Sequence, residues 1–199
     1  MIKKENYIMT IYGKKGSGKS YFAENFIKNL NRVIVWDTMR IFDKNFIVIS
    51  SLKQLSKIFK KIATNEIVNF RLSLRLNKKY FDSINKFILN FQNITYIIDE
   101  LQVFVSALKI PEYLNDLVTE SRHFEINLIF ITQRPVFIPR IILANADYIV
   151  SFEINLKSDL DVLSTYKYFE PERAKSLDNY EFFMIDLKHK RGFKGKVWY

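Results

Sequence analysis

Eight residues near the N-terminus, Gly13-Lys14-Lys15-Gly16-Ser17-Gly18-Lys19-Ser20, have the form G-x-x-x-x-G-K-S. Glycines at positions 13, 16 and 18 let the backbone curl until successive N–H groups, those of Lys14, Lys15 and Ser17 among them, point inward at phosphate oxygens. The following helix start adds its positive dipole end. The Lys19 ammonium is then placed over the β- and γ-phosphates, and the Ser20 hydroxyl is offered to Mg²⁺. The chemistry is that of a magnesium nucleotide, with ATP as the expected ligand. Such a site also needs a rigidly held carboxylate. Asp99, at the end of the apolar run 94–98, supplies it, and Glu100 beside it is placed to act as general base on an attacking water. Gln133 follows the apolar run 128–132 and carries an amide able to bond the γ-phosphate or that water. Out of context, Asp99 and Glu100 read as an acidic pair complementing a helix dipole, and Gln133 as a strand-end cap. The glycine loop is what gives them a reaction.

These side chains are useful only if strands deliver them to one edge of a sheet. Residues 7–12 are a β-rich run feeding into the glycine loop, and residues 19–30 place Phe22, Ala23, Phe26, Ile27 and Leu30 at helical spacing. Residues 32–36, ending on Asp37, and residues 46–49 read as further strands. Ser51 is the expected N-cap of a helix with Leu52, Leu55, Ile58, Phe59 and Ile62 on one face. Residues 70–77 alternate, with Phe70, Leu72, Leu74 and Leu76 against Arg71, Ser73, Arg75 and Asn77, which predicts an edge strand with one exposed face. A helix carrying Phe81, Ile84, Phe87, Ile88 and Phe91 leads into the strand 94–98. Residues 101–124 read as helical with a break before Pro111, and residues 127–132 and 148–152 as strands. This alternation predicts an α/β fold, a mainly parallel sheet with helices on both faces. Residues 181–187 and 192–199 are expected to form a C-terminal β-hairpin across the basic turn 188–191. With no repeat, low-complexity tract or linker, residues 1–199 are expected to form a single domain.

Composition narrows the classes further. A chain of 199 residues can bury a core without metal or disulfides, and the absence of cysteine excludes a disulfide framework, a Cys-type zinc site and a thiol nucleophile. No apolar run approaches the roughly 20 residues of a membrane span, and the N-terminal lysines are not followed by an apolar stretch with a cleavage site. The expectation is a soluble, cytoplasmic protein without direct membrane insertion. A net charge of +10 implies attraction to polyanions, nucleic acid first, although lysines that merely solvate the surface give the same total.

G-K-K-G-S-G-K-S, I-I-D-E and E-S-R-H-F-E-I-N-L-I-F-I-T-Q-R-P, followed by I-P-R-I-I-L-A-N-A-D-Y-I-V-S-F, resemble the HerA/FtsK superfamily of DNA-pumping ATPases over residues 7–152. Within it, the short length and the T-Q-R-P-x-x-I-P-R-x-I-L-x-N-A-D segment look most like the genome-packaging ATPases of tailless, membrane-containing double-stranded DNA viruses. The first two motifs are shared by many ATPases; the third discriminates. The resemblance implies a RecA-like (ASCE) P-loop fold, with the strand before Gln133 inserted between the glycine-loop strand and the Asp99 strand. It also implies ring assembly, usually a hexamer, sequence-independent binding of double-stranded DNA, and a host-cytoplasmic or virion-associated location. Arg122, in S-R-H-F-E-I-N, matches the arginine that in this superfamily reaches the nucleotide of the adjacent subunit. Taken alone it reads as a surface arginine near a helix C-terminus; Arg134 and Arg140 are further candidates. The chain shows neither the membrane anchor and winged-helix tail of chromosome translocases nor the N-terminal barrel of the archaeal repair helicase. That pattern implies a minimal motor that borrows its docking site from another protein, such as one at a capsid vertex. Residues 188–191 and the Arg71 to Arg75 strand face are candidate DNA contacts, each equally readable as a solvated surface.

Three other functions fit the same loop. A plasmid or conjugative DNA pump shares every motif, a small-molecule or nucleoside kinase shares the phosphate site, and a non-hydrolysing assembly switch shares nucleotide binding. Glu100 and Gln133 favour water as acceptor and so count against the last two.

Overall fold

A computed structural model of the chain describes residues 6–197. The strand formed by residues 7–12 is realised as β1 (Ile8–Tyr12), and α1 (Lys19–Phe26) follows the glycine loop. Next come β2 (Arg32–Trp36), β3 (Ile47–Ile49), α2 (Leu52–Ala63), β4 (Phe70–Leu74), α3 (Phe81–Ile88) and β5 (Ile94–Ile98). After them come α4 (Glu112–Glu120), β6 (Ile126–Thr132), α5 (Arg140–Asn145) and β7 (Tyr148–Ser151). The series ends with α6 (Lys157–Leu163), α7 (Pro171–Lys175), β8 (Glu181–Asp186) and β9 (Arg191–Lys196).

The strands form one nine-stranded sheet in the order β3-β4-β2-β5-β6-β1-β7-β8-β9. The pairs from β3 to β7 are parallel, and the last two, β7–β8 and β8–β9, are antiparallel. The α/β class, the helices on both faces and the C-terminal hairpin are therefore as expected, as is the insertion of β6 between β1 and β5. Arg191 belongs to β9 rather than to the turn, and Trp198 and Tyr199 of the expected second hairpin strand lie outside the described residues. Parallel neighbours require crossovers, and the crossover helices bury both sheet faces. Ile8 and Tyr12 pack into the core beneath α2 to α7, whereas Met9 and Ile11 face the opposite core with Phe22, Ala23 and Ile27 around α1. Burial on both faces is why the central strands read as continuous apolar runs. Among the described residues no helix is long and apolar enough to cross a membrane.

Three local expectations need correction. β4 is not an edge strand, because β3 lies outside it. Its polar face points into the protein: the Arg71 guanidinium donates to the carbonyls of Ile27 at 2.9 Å and Leu30 at 2.8 Å, reaching backbone acceptors beyond the end of α1. Arg75 and Ser73 donate to the buried Asp37 carboxylate at 2.9–3.0 Å, so this strand face is engaged within the chain. α1 stops at Phe26 rather than Leu30, where Arg71 draws the chain into a turn. The stretch 101–124 is not one broken helix but a short 3₁₀ turn at Leu101–Val103, an irregular link and α4, which starts directly after Pro111, the extended residue that caps it. By contrast, Ser51 caps α2 as expected, and Gln54 completes the reciprocal capping box.

Candidate active site

The glycine loop leaves the C-terminal end of β1, and Gln133 and Asp99 follow the C-terminal ends of the adjacent strands β6 and β5. Strand spacing of about 4.8 Å puts the three ends within roughly 10 Å laterally, at the point where β6 breaks the sequential strand order. The loop conformation depends on glycine. Gly13 has φ +151°, and a Cβ there would sit 2.6 Å from Phe152 Cβ; Gly18, at φ +105°, would meet Tyr180 Cδ1 at 2.8 Å.

Within the loop, Lys19 is buried and its ammonium donates to the Lys14 carbonyl at 2.8 Å. Burial holds it below the usual lysine range, while the Glu100 and Asp99 carboxylates pull the other way. Lys14 pairs with Glu153, Lys15 and Gly16 are exposed, Ser17 is buried, and Ser20 lies in the first turn of α1.

Asp99 is 1% exposed, and its Oδ2 has no hydrogen-bond partner. Burial, then the neighbouring Glu100 and Asp37 carboxylates, push it up to about 7, against the opposing Met39 N–H and Lys19 ammonium. A buried carboxylate oxygen without a donor is what a divalent cation would satisfy. Because the folded pKa is raised above the unfolded one, the folded apo state holds the extra proton between about pH 4 and 7 and loses stability as pH rises through that window. We expect Asp99→Asn to stabilise the nucleotide-free protein at pH 8, by at most about 4 kcal/mol. The gain should shrink at pH 5, where the native carboxyl is already neutral; urea denaturation at both pH values checks this, and equal midpoints at pH 8 contradict it.

Glu100 sits in the left-handed region at φ 54°, a conformation costing a non-glycine residue about 1–3 kcal/mol. Its carboxylate accepts from Gln133 Nε2 at 3.1 and 3.3 Å and from the Gln102 amide, while Gln102 Oε1 accepts from Thr132 Oγ1 at 2.6 Å. Two amides from two chain segments therefore fix one carboxylate. Gln102 was missed in the sequence; its signal is its position two residues after Glu100, on the turn that folds back toward Thr132.

Arg122 is not brought to this cluster. It follows α4, and its Nη2 donates to Asp147 Oδ1 at 3.0 Å, while Asp147 Oδ2 accepts from the Ile8 N–H at 2.9 Å. That is the N-terminal edge of the parallel strands, about 13 Å of β1 away from the glycine loop. Arg134 is on the loop edge but donates to Asp159 at 2.9 Å and Ser158 at 3.1 Å, and Arg140 opens α5 in an exposed position. The basic turn lies at the far edge as well, with Lys188 on the Asn6 carbonyl and both His189 and Arg191 on Asp186.

In fold, the chain is similar to the genome packaging NTPase B204 from Sulfolobus turreted icosahedral virus 2 in complex with AMPPCP: TM-score 0.79, 22% identity, covering 97% of this chain and 98% of that one. It is also similar to the monomer form of the pCW3 conjugation coupling protein TcpA with ATPγS: TM-score 0.66, 14% identity, 97% of this chain and 61% of that one. A third likeness is to VirB4 of Thermoanaerobacter pseudethanolicus: TM-score 0.68, 13% identity, 96% and 89% covered. The resemblance read from the motifs is thus borne out at the level of the fold. No curated protein matches the sequence. The family described as AAA domain matches over residues 2–137, which takes in the glycine loop, Asp99, Glu100 and Gln133, and on that match the chain belongs to the AAA domain family, as a P-loop ATPase.

Proposed function

We propose that this ATPase is the motor of a sequence-independent double-stranded DNA translocase that packages a viral genome, working as a homo-oligomeric ring of about six copies docked on a capsid or vertex protein. The observation that carries the reading is the Gln133 amide on both Glu100 oxygens. Gln133 opens the segment that continues through Arg134, Pro135 and α5, the stretch with the discriminating motif. Any displacement of that segment by DNA or a neighbouring subunit reorients the carboxylate beside Asp99. An enzyme acting alone on a small molecule has no use for such a link. Likeness to a packaging NTPase over nearly the whole of both chains supports the viral assignment. The likeness to TcpA and VirB4 supports a conjugative pump as the second reading.

In this proposal the backbone N–H groups of residues 13–18 cradle the phosphates, and Lys19 neutralises β- and γ-phosphate charge. Ser20 and Asp99 hold Mg²⁺, which when bound offsets charge on the phosphates; the orphan Asp99 Oδ2 fits that role. Glu100 takes the proton of the attacking water, Gln133 and Gln102 hold Glu100 in place, and Arg122 serves the adjacent subunit's nucleotide.

Duplex DNA of unrelated sequences should stimulate ATPase turnover equally. A footprint of six phosphates should lose about three orders of magnitude in affinity between ~50 and ~200 mM salt. Steady-state ATPase rates with and without DNA, run beside a sizing measurement, test this. Turnover indifferent to DNA, with phosphate passed to a small acceptor, would instead establish a kinase.

A further inference from the structure

The sheet order gives a bound nucleotide a direction. Glu100 and Gln133 lie on the β5 and β6 side of β1, so the γ-phosphate end of a triphosphate along the glycine loop faces that side. Its nucleoside end must then point the opposite way, over β7 and β8. β8 runs antiparallel to β7, with Ser151 opposite Phe183, so β8 begins at the same sheet edge as the glycine loop. The residue immediately before β8 is Tyr180.

Resting on the P-loop ATPase reading, we propose that Tyr180 is the stacking platform for the nucleobase. Its ring lies against the last glycine of the loop, since a Cβ at Gly18 would meet Tyr180 Cδ1 at 2.8 Å. Tyr180 is neither fully buried nor fully exposed, and it stands beside the start of α1. The backbone is anchored there: the Tyr180 carbonyl accepts from the Val197 N–H at 2.9 Å, and the preceding turn is closed by Glu181 N–H to the Asp178 carbonyl at 3.0 Å. Tyr180 also holds φ 65°, a left-handed conformation that the adjacent Asn179 or a glycine would adopt more easily. One side of the residue packs against the core around Phe152 and Met184, which holds the ring fixed beside the glycine loop despite the strained backbone. Stacking rewards ring area, so a purine gains more than a pyrimidine. The C-terminal hairpin thereby becomes part of the nucleotide site, carrying the base end as β5 and β6 carry the phosphate end.

The test compares magnesium complexes of AMPPCP and of inorganic tripolyphosphate, which has no base, by calorimetric titration of the unaltered protein, Tyr180→Phe, Tyr180→Ala and Tyr180→Gly. Removing the ring should weaken AMPPCP by about 10- to 100-fold and leave tripolyphosphate unchanged, whereas Tyr180→Phe should stay within a few-fold of the unaltered protein. Tyr180→Gly relieves the backbone strain while deleting the platform, so it answers the question even where the alanine variant folds poorly. Equal weakening of both ligands would reduce Tyr180 to a prop for Gly18, and no weakening of either would remove it from the site; both results overturn the platform alone. Failure of the unaltered protein to bind either ligand overturns the ATPase reading beneath it.

Discussion

Glu100→Gln should bind ATP about as well as the unaltered protein and hydrolyse it at least about a hundredfold more slowly, while Lys19→Ala should lose ATP binding itself. The two losses differ because the side chains act at different stages. Removing a positioned general base raises the barrier of the chemical step by a factor of about 10² to 10⁴ and leaves phosphate binding alone. Glutamine keeps the size of Glu100 and one acceptor oxygen for the Gln133 and Gln102 amides, so the strained turn at φ 54° is retained. Lys19 contributes a cation aimed at phosphate, and its loss removes charge from the bound ground state as well as from the transition state. Because Lys19 is buried with its charged form disfavoured by burial, alanine relieves a desolvation cost, and the variant should fold at least as well as the parent. Thermal melting without nucleotide, followed by the shift on adding MgATP, separates these outcomes. Equal loss of the nucleotide-induced shift in both variants would contradict the division of labour between loop and strand end.

The residues of that division were legible in the sequence because each belongs to a local signal. The glycine loop is contiguous, Asp99 and Glu100 end an unbroken apolar strand, and Gln133 ends another. What escaped were partnerships between distant positions. Arg71 and Arg75 alternate with leucines as an exposed strand face would, but their acceptors are carbonyls beyond α1 and the carboxylate of Asp37. Alternation reports that one face is polar, not that water is what it meets. Tyr180 escaped for the same reason: its neighbour across the fold is Gly18, and nothing in residues 176–184 announces a glycine loop. Helix lengths were overread where apolar spacing continued past a turn, as beyond Phe26: the Ile27 N–H makes an i→i−4 bond to Ala23 as the C-cap, and the Leu30 N–H closes a tighter turn on the Ile27 carbonyl. The Asp99 environment is only partly local: burial and the adjacent Glu100 raise its pKa, and the order of the strands adds Asp37 by setting β2 beside β5.

Mixing Arg122→Ala with Glu100→Gln, each inactive by itself, should restore part of the ATPase activity. About 13 Å of β1 separates the Arg122 end of the sheet from the chain's own glycine loop, so this arginine can meet a nucleotide only if a second copy presents one. A head-to-tail ring joins two different surfaces of the same chain, which is the arrangement such a residue requires. In the mixture, some interfaces pair an intact Glu100 site with an intact Arg122 from the neighbour, and only those turn over. The recovery should fall on dilution, as the ring dissociates. The Asp147 pair supplies the competing explanation, that Arg122 merely holds the carboxylate that anchors the Ile8 N–H. Arg122 is more than half exposed in that pair, so its loss should cost under about 1 kcal/mol of stability. Asp147→Asn separates the explanations, since it breaks the ion pair and leaves the guanidinium in place. A trans role predicts that Asp147→Asn keeps most of its turnover while Arg122→Ala and Arg122→Lys do not, the lysine lacking the fork that grips a phosphoryl group. Matching losses in Asp147→Asn and Arg122→Ala, with no mixture exceeding the sum of its parts in a preparation that still sizes as a ring, would make the ion pair the whole of Arg122's function and shift the search to Arg140, the more exposed of the two remaining candidates.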